Sequence, residues 1–204
     1  MKTNLRTNPL NLIAAFVFVL LLLPLAHAQG QTTYGPNTAA FIKILSSDTF
    51  HLKFRIQGED GKFTDMEMFA KGGMGAGTVI GTYNRMITRD KKSYYISDPD
   101  KKMMVTAMDA ESEGQTFAPT GTKYTRSGTA DFFGKKLTYD EYTAPSGEKS
   151  WYFVDHGKLA GIRILDKDYA NNGGSADVVV VTLDQNIPAN TFEIPKGYKV
   201  EDTR

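Results

Sequence analysis

The sequence predicts a mostly β domain, with one or two short helices and a curled antiparallel sheet. Three observations carry that prediction. Phe50-His51-Leu52-Lys53-Phe54-Arg55-Ile56 alternates apolar and polar side chains without a break, the pattern of a strand with one buried face. Short apolar or alternating runs then recur to near the C-terminus, separated by turns rich in Gly, Asp, Asn and Pro. Roughly nine or ten such strands make a sheet large enough that its twist forces it to curl or split.

The N-terminus stands outside that fold. Lys2 and Arg6 form a basic region, Leu12–Leu23 is a continuous apolar run, Pro24 breaks it, and Ala26-His27-Ala28 is a small-x-small cleavage site. This order describes a secretory signal peptide over residues 1–28. The apolar run falls short of the roughly 20 residues needed to span a bilayer. Residues 29–204 then form a single exported domain, periplasmic or secreted.

Composition narrows the function. Of 204 residues, 24 are basic and 23 acidic; without Lys2 and Arg6 the basic count is 22 and the net charge −1. A near-neutral chain with no long basic run lacks the electrostatic footprint of a nucleic-acid binder. The pairs Lys91-Lys92, Lys101-Lys102 and Lys135-Lys136 read as solvated hairpin ends. There is no cysteine, which removes disulfides, thiolate metal sites, a thiol nucleophile and a lipidated N-terminal cysteine. A disulfide-free exported domain of this size fits a bacterial envelope.

Along the exported chain, Gln29–Pro36 is a loose polar leader. Asn37 or Thr38 caps a short helix over Ala39–Leu45, which Ser46-Ser47-Asp48 ends. The alternating strand follows, and Phe63–Ala70 runs back with Met66, Met68 and Ala70 on one face. The glycine density of Gly72–Gly77 predicts a loop. Tyr83–Arg89 resumes strand character. Tyr94–Ile96 and Met103–Val105 are the arms of a hairpin whose turn, Ser97–Lys102, holds Pro99 between Asp98 and Asp100; the turn alone accounts for both aspartates. Met108–Thr120 is a polar stretch, a long loop or short helix that can serve as a lid. Tyr124–Thr129, Lys136–Thr143, Ser150–Val154, Leu159–Leu165 and Val178–Val181 read as further strands, with a turn at Asp168–Gly174. The ending Ile187–Tyr198 is extended and bracketed by prolines.

Enzymatic signatures are missing. No Gly-Lys pair is followed by Ser or Thr, the G-x-G-x-G run does not open a helix, and there is no G-x-S-x-G elbow. His51 falls on the polar face of its strand, where it is expected to be exposed, and His156 falls in the turn Asp155-His156-Gly157. A metal or acid–base role shared by the two requires them to be adjacent. No nucleophile, cofactor or metal site is indicated.

The apolar inventory is the distinctive part. Met66, Met68, Met74, Met86, Met103 and Met104 lie in or beside the central strands, together with many aromatics. Such soft side chains either fill an irregular core or line a cavity that conforms to an acyl chain. Under the second reading the cavity is lined by Phe50, Leu52, Phe54, Ile56, Met66, Met68, Tyr83, Tyr95, Met104, Tyr139, Trp151 and Phe153. Tyr and Trp suit its mouth, each having an apolar body and a polar tip.

The strand Phe50–Ile56, the hairpin Tyr94–Val105 with its Asp-Pro turn, and the ending Ile187–Val200 (IPANTFEIPKGYKV) together resemble the LolA-like superfamily of periplasmic lipoprotein carriers and lipid binders. The resemblance implies a half-open β-barrel covered by helices, an apolar cavity for lipid or lipoprotein acyl chains, and no enzymatic activity. The chain departs from the carriers in offering little helix for a lid and no motif for a handover partner. The rival reading is an envelope interaction or structural protein with a filled core, no ligand and a protein partner.

Overall fold

The fold is that of a computed structural model describing residues 33–58, 61–107, 121–145, 147–165 and 175–202. The signal-peptide segment, the stretch Met108–Thr120 and the turn Asp168–Gly174 lie outside the described residues. One helix, α1 (Ala39–Leu45), precedes twelve strands: β1 (Thr49–Gln57), β2 (Phe63–Lys71), β3 (Met74–Val79), β4 (Asn84–Arg89), β5 (Lys92–Ser97), β6 (Lys102–Ala107), β7 (Lys123–Phe132), β8 (Lys135–Thr143), β9 (Lys149–Asp155), β10 (Lys158–Leu165), β11 (Ser175–Asp184) and β12 (Lys199–Asp202). They form one sheet in the order β12-β6-β5-β4-β3-β2-β1-β11-β10-β9-β8-β7. It consists of two meanders, β1–β6 and β7–β11, joined along β1 and β11. The sheet is curled and not closed, and every pairing is antiparallel except β12 on β6.

The expected helix and hairpins are present, and two strands exceed the expectation. β12 closes the C-terminal segment. The other, β3, runs through the glycine-rich stretch predicted to be a loop, and only Gly72 and Gly73 turn there, with φ of 55° and 81°. Pairing on both sides, to β2 and to β4, outweighs the poor strand propensity of Gly75 and Gly77. The hairpins β4–β5, β7–β8 and β9–β10 also turn through two residues of positive φ: Asp90-Lys91, Phe133-Gly134 and His156-Gly157. Such left-handed pairs match the twist of the flanking strands. The lysine pairs sit at hairpin ends as expected, with Lys91, Lys92, Lys101, Lys102, Lys135 and Lys136 all exposed.

Each face of the sheet has its own core. On the helix face, Ile42 and Leu45 of α1 pack over Phe50, Leu52 and Phe54 of β1, Met66 and Met68 of β2, and Tyr142, Tyr152, Ile162 and Val178 from the second meander. On the opposite face Phe132, Leu137, Tyr139, Trp151, Phe153 and Leu165 form a second cluster. Adjacent strands rotate by roughly 20–25°, so five steps from β2 to β8 accumulate roughly a right angle. The tip of the β7–β8 hairpin is thereby carried over this face, with Phe132 stacked on Phe153 at 4.5 Å and Phe133 reaching within 5.5 Å of Phe63. A third cluster, Ile87, Ile96 and Met103, is covered on that same face by Ile194 and Tyr198 of the C-terminal segment.

Candidate functional site

The site grows from a single register row. Leu52, Met68, Gly77, Met86, Tyr95 and Met104 are successive cross-strand partners from β1 to β6. Directly paired residues project on the same side of a sheet, so this row shares the helix face. A second row, Phe50, Ala70, Gly75, Thr88, Ser93 and Thr106, runs beside it. The core beneath α1 extends along this face as far as Val79. Past β3 the face continues through Met86, which is buried, and through Tyr95 and Met104, which are half-buried.

The twelve apolar residues singled out by sequence do not share one surface. Phe50, Leu52, Phe54, Met66 and Met68 are buried in the core under α1, with Ile56 at its margin, and Tyr95 and Met104 extend the same face. Tyr139, Trp151 and Phe153 belong to the opposite face, because Trp151 and Phe153 alternate with Tyr152, which points to the helix side. Tyr83 stands in the β3–β4 turn and is 72 % exposed. The hairpin arms split likewise: Tyr94 and Val105 join the third cluster while Tyr95 and Met104 face the helix side.

Glycine marks where this face is shallow. A Cβ at Gly75 would fall 2.5 Å from Thr88 Oγ1, so the Thr88 hydroxyl requires that glycine. A Cβ at Gly77, among the described residues, would meet only Glu67 O at 3.7 Å and Met68 Cγ at 3.9 Å, both ordinary contacts. Gly77 thus carries the roughly 0.5–1 kcal/mol cost of a strand glycine with no steric reason among the described residues.

A polar latch positions α1. The Asp140 carboxylate, fully buried on β8, accepts the Asn37 backbone N–H (2.9 Å), Asn37 Nδ2 (2.7 Å), Thr38 Oγ1 (2.9 Å) and Ser127 Oγ (2.7 Å). Tyr142 Oη accepts the Gly35 N–H at 2.8 Å and lies 2.7 Å from Thr38 Oγ1. Burial pushes the Tyr142 phenol pKa up, offset in part by those two hydrogen bonds. Thr38 precedes α1 without capping it by its side chain, contrary to the sequence expectation, because its hydroxyl is spent on Asp140 and Tyr142. This latch was missed by sequence reasoning: Asn37 and Thr38 lie 103 and 102 positions from the carboxylate they bind.

The opposite face is filled and paired. Trp151 Nε1 donates to Glu141 Oε2 at 2.8 Å, and Arg126 Nε and Nη2 donate to the same oxygen at 3.1 Å each. That hydrogen bond and the nearby charge hold the Arg126 guanidinium pKa above its ordinary value. Arg163 lies over the Phe132, Trp151 and Phe153 rings at 5.5–5.9 Å and forks onto Asp177 at 2.7 Å.

Two expectations about polar residues are corrected. His51 is not exposed on its polar face; its side chain is 15 % accessible, stacked on Phe69 at 4.5 Å, with Nε2 2.8 Å from Glu67 Oε1 and Nδ1 3.3 Å from Asp184 Oδ1. Partners on both neighbouring strands satisfy it. Asp98 does more than shape its turn, since Oδ1 accepts the Tyr198 hydroxyl at 2.9 Å and Oδ2 lies 3.3 Å from Arg85 Nε. Donation to that carboxylate raises the Tyr198 pKa. His156 stays in its turn, 95 % exposed, and among the described residues no three His, Asp or Glu side chains are grouped to hold a metal.

No protein-family profile matches this sequence, and no curated protein is recognisably related to it. Among solved structures the chain is similar to an uncharacterised conserved protein from Thermus thermophilus, at 10 % identity and a TM-score of 0.48, covering 81 % of this chain and 99 % of that one. It is similar to MucB at 10 % identity and a TM-score of 0.43, covering 83 % of this chain and 66 % of that one. A LolA superfamily protein from Nitrosomonas europaea matches at 8 % identity and a TM-score of 0.38, covering 78 % and 99 %. The fold itself is mostly β, with one short helix and a curled sheet that does not close.

Proposed function

We propose that this is an exported, non-enzymatic protein of the bacterial envelope that binds lipid or another hydrophobic ligand on the helix face of its sheet. The observation that supports it is the continuation of that face past α1 and Val79, through Met86, Tyr95 and Met104. Thioethers and a tyrosine make an adaptable apolar lining. Each methylene removed from water there contributes about 0.8 kcal/mol. Residues 1–28 direct export, and lipid or lipoprotein acyl chains are the expected guests.

The test is gentle purification of the exported protein, followed by native mass spectrometry and organic extraction. Co-purifying lipid, or saturable uptake of a fluorescent fatty acid, supports the reading. Absence of both overturns it. A second reading has its own observation: the side chains under α1 and around Trp151 are buried in clusters of their own, as expected of an envelope interaction protein with a protein partner. Pull-down from membranes separates the two, since a carrier brings lipid and an adaptor brings a protein.

A further inference from the structure

We infer that Phe63 and Phe133 form a rigid aromatic knob that docks this protein on the surface of a lipid bilayer. The knob stands on the face opposite α1, so it does not depend on any ligand of the helix face. Its first mark is backbone strain. Five described residues other than glycine have positive φ; Asp90, Lys91, Lys101 and His156 are polar, and Phe133, at 51°, is the apolar exception. The first position of such a two-residue turn favours Asn, Asp or Gly, and a bulky ring there is an outlier. Turn chemistry therefore does not account for Phe133. Burial does not either, since the residue is 42 % exposed. Phe132 anchors the tip from below, buried and stacked on Phe153 at 4.5 Å, and holds Phe133 edge-on at 5.0 Å. Strain kept for a half-exposed side chain points to a function of that side chain.

The surroundings choose the partner. Phe63, 43 % exposed, meets Phe133 at 5.5 Å from a different hairpin, so the two rings make one patch. Its rim is electrically balanced. Arg55 lies over the Phe63 ring at 5.7 Å and pairs with Asp65 at 3.1 Å, and Lys135 lies 3.4 Å from Asp155. Paired charges of this kind fit neither a nucleic acid nor a strongly charged peptide. Area argues against a second copy of the chain. Together the rings expose about 170 Å², taking roughly 200 Å² for a whole phenylalanine, against roughly 800 Å² on each side of a stable protein pair. A lipid surface needs no such area. Each ring leaves water on entering the interface, while the long side chains of Arg55 and Lys135 keep their charges at the wet side.

The test is flotation of the exported protein with vesicles of phosphatidylethanolamine and phosphatidylglycerol and, in a separate arm, of phosphatidylcholine. Phe133→Asn, which suits the turn, and Phe63→Ser are compared with the unaltered protein, and urea unfolding is followed alongside. The unaltered protein is expected to float with both kinds of vesicle and to stay bound in high salt. Each substitution is expected to weaken that binding at least about tenfold, and Phe133→Asn to keep or raise the unfolding midpoint. No flotation of the unaltered protein, or flotation that neither substitution changes, overturns the knob. Binding confined to the anionic vesicles and abolished by salt also overturns it, because charge and not the rings then makes the contact. A midpoint lowered by Phe133→Asn overturns it as well, since the ring is then kept for packing. A dimer in sedimentation that Phe133→Asn converts to monomer would assign the rings to a second copy instead.

Discussion

The Thr38 hydroxyl donates to the buried Asp140 carboxylate at 2.9 Å, tying the residue just before α1 to β8 across 102 positions of sequence. Four donors converge on that carboxylate, and an ionised carboxylate is an acceptor only. Asp140→Asn keeps the shape but, in either orientation, turns an NH₂ toward an Asn37 N–H that can only donate. The expected loss is about 2–4 kcal/mol, most of it from donors left buried and unpaired. Asn37→Ala removes one partly exposed bond and is expected to cost within about 1 kcal/mol. Urea midpoints of the two variants check this, and equal losses would show that Asp140 is not the centre of the latch.

Gly161 presents the reverse case to Gly77. A Cβ there would collide with the Phe132 ring and approach Val178 O to 2.8 Å. Phe132 reaches it from three strands away, because the β7–β8 tip is folded over the sheet. Gly161→Ala is expected to destabilise by about 1–3 kcal/mol, the ordinary cost of overpacking. Combining it with Phe132→Leu should cost less than the sum of the two single changes, since the collision is shared. Strict additivity in a double-mutant cycle would remove the ring from the explanation.

How much of this was legible follows from the range of each signal. The alternation of Phe50–Ile56 is local, and it gave both the strand and its buried face. The hairpins were legible because Asp-Pro and Gly turns are local too. The faces of Tyr139, Trp151 and Phe153 were not, because Trp151, Tyr152 and Phe153 are all buried in succession and alternation vanishes when both faces are covered. That Trp151 lies on the face opposite Phe54 depends on register through three strand pairings, information no single segment carries. β3 was misjudged for a different reason: glycine propensity is a weak prior that pairing on two sides overrides. The pairing of His51 with Glu67 and Asp184 joins three strands and left no local trace.

Tyr152 sets an alkaline limit on the fold. Its ring packs edge-on against Tyr142 at 5.3 Å, and its burial pushes the phenol pKa well above the ordinary value, with the neighbouring Tyr142 adding to the rise. The folded protein therefore holds this proton to higher pH than the unfolded chain, whose tyrosines titrate near about 10. A pKa raised on folding contributes stability that is complete below the unfolded value and is lost as pH rises above it. The urea midpoint should accordingly be flat in this respect up to about pH 9 and fall beyond about pH 10. Tyr142, raised in the same direction, adds to that fall. Tyr152→Phe keeps the ring and removes the ionisable hydroxyl, so its midpoint should decline less steeply above about pH 10 while matching the unaltered protein's pH dependence near neutrality. An equally steep decline would mean that the alkaline transition is carried by other groups, such as the lysines at the hairpin ends.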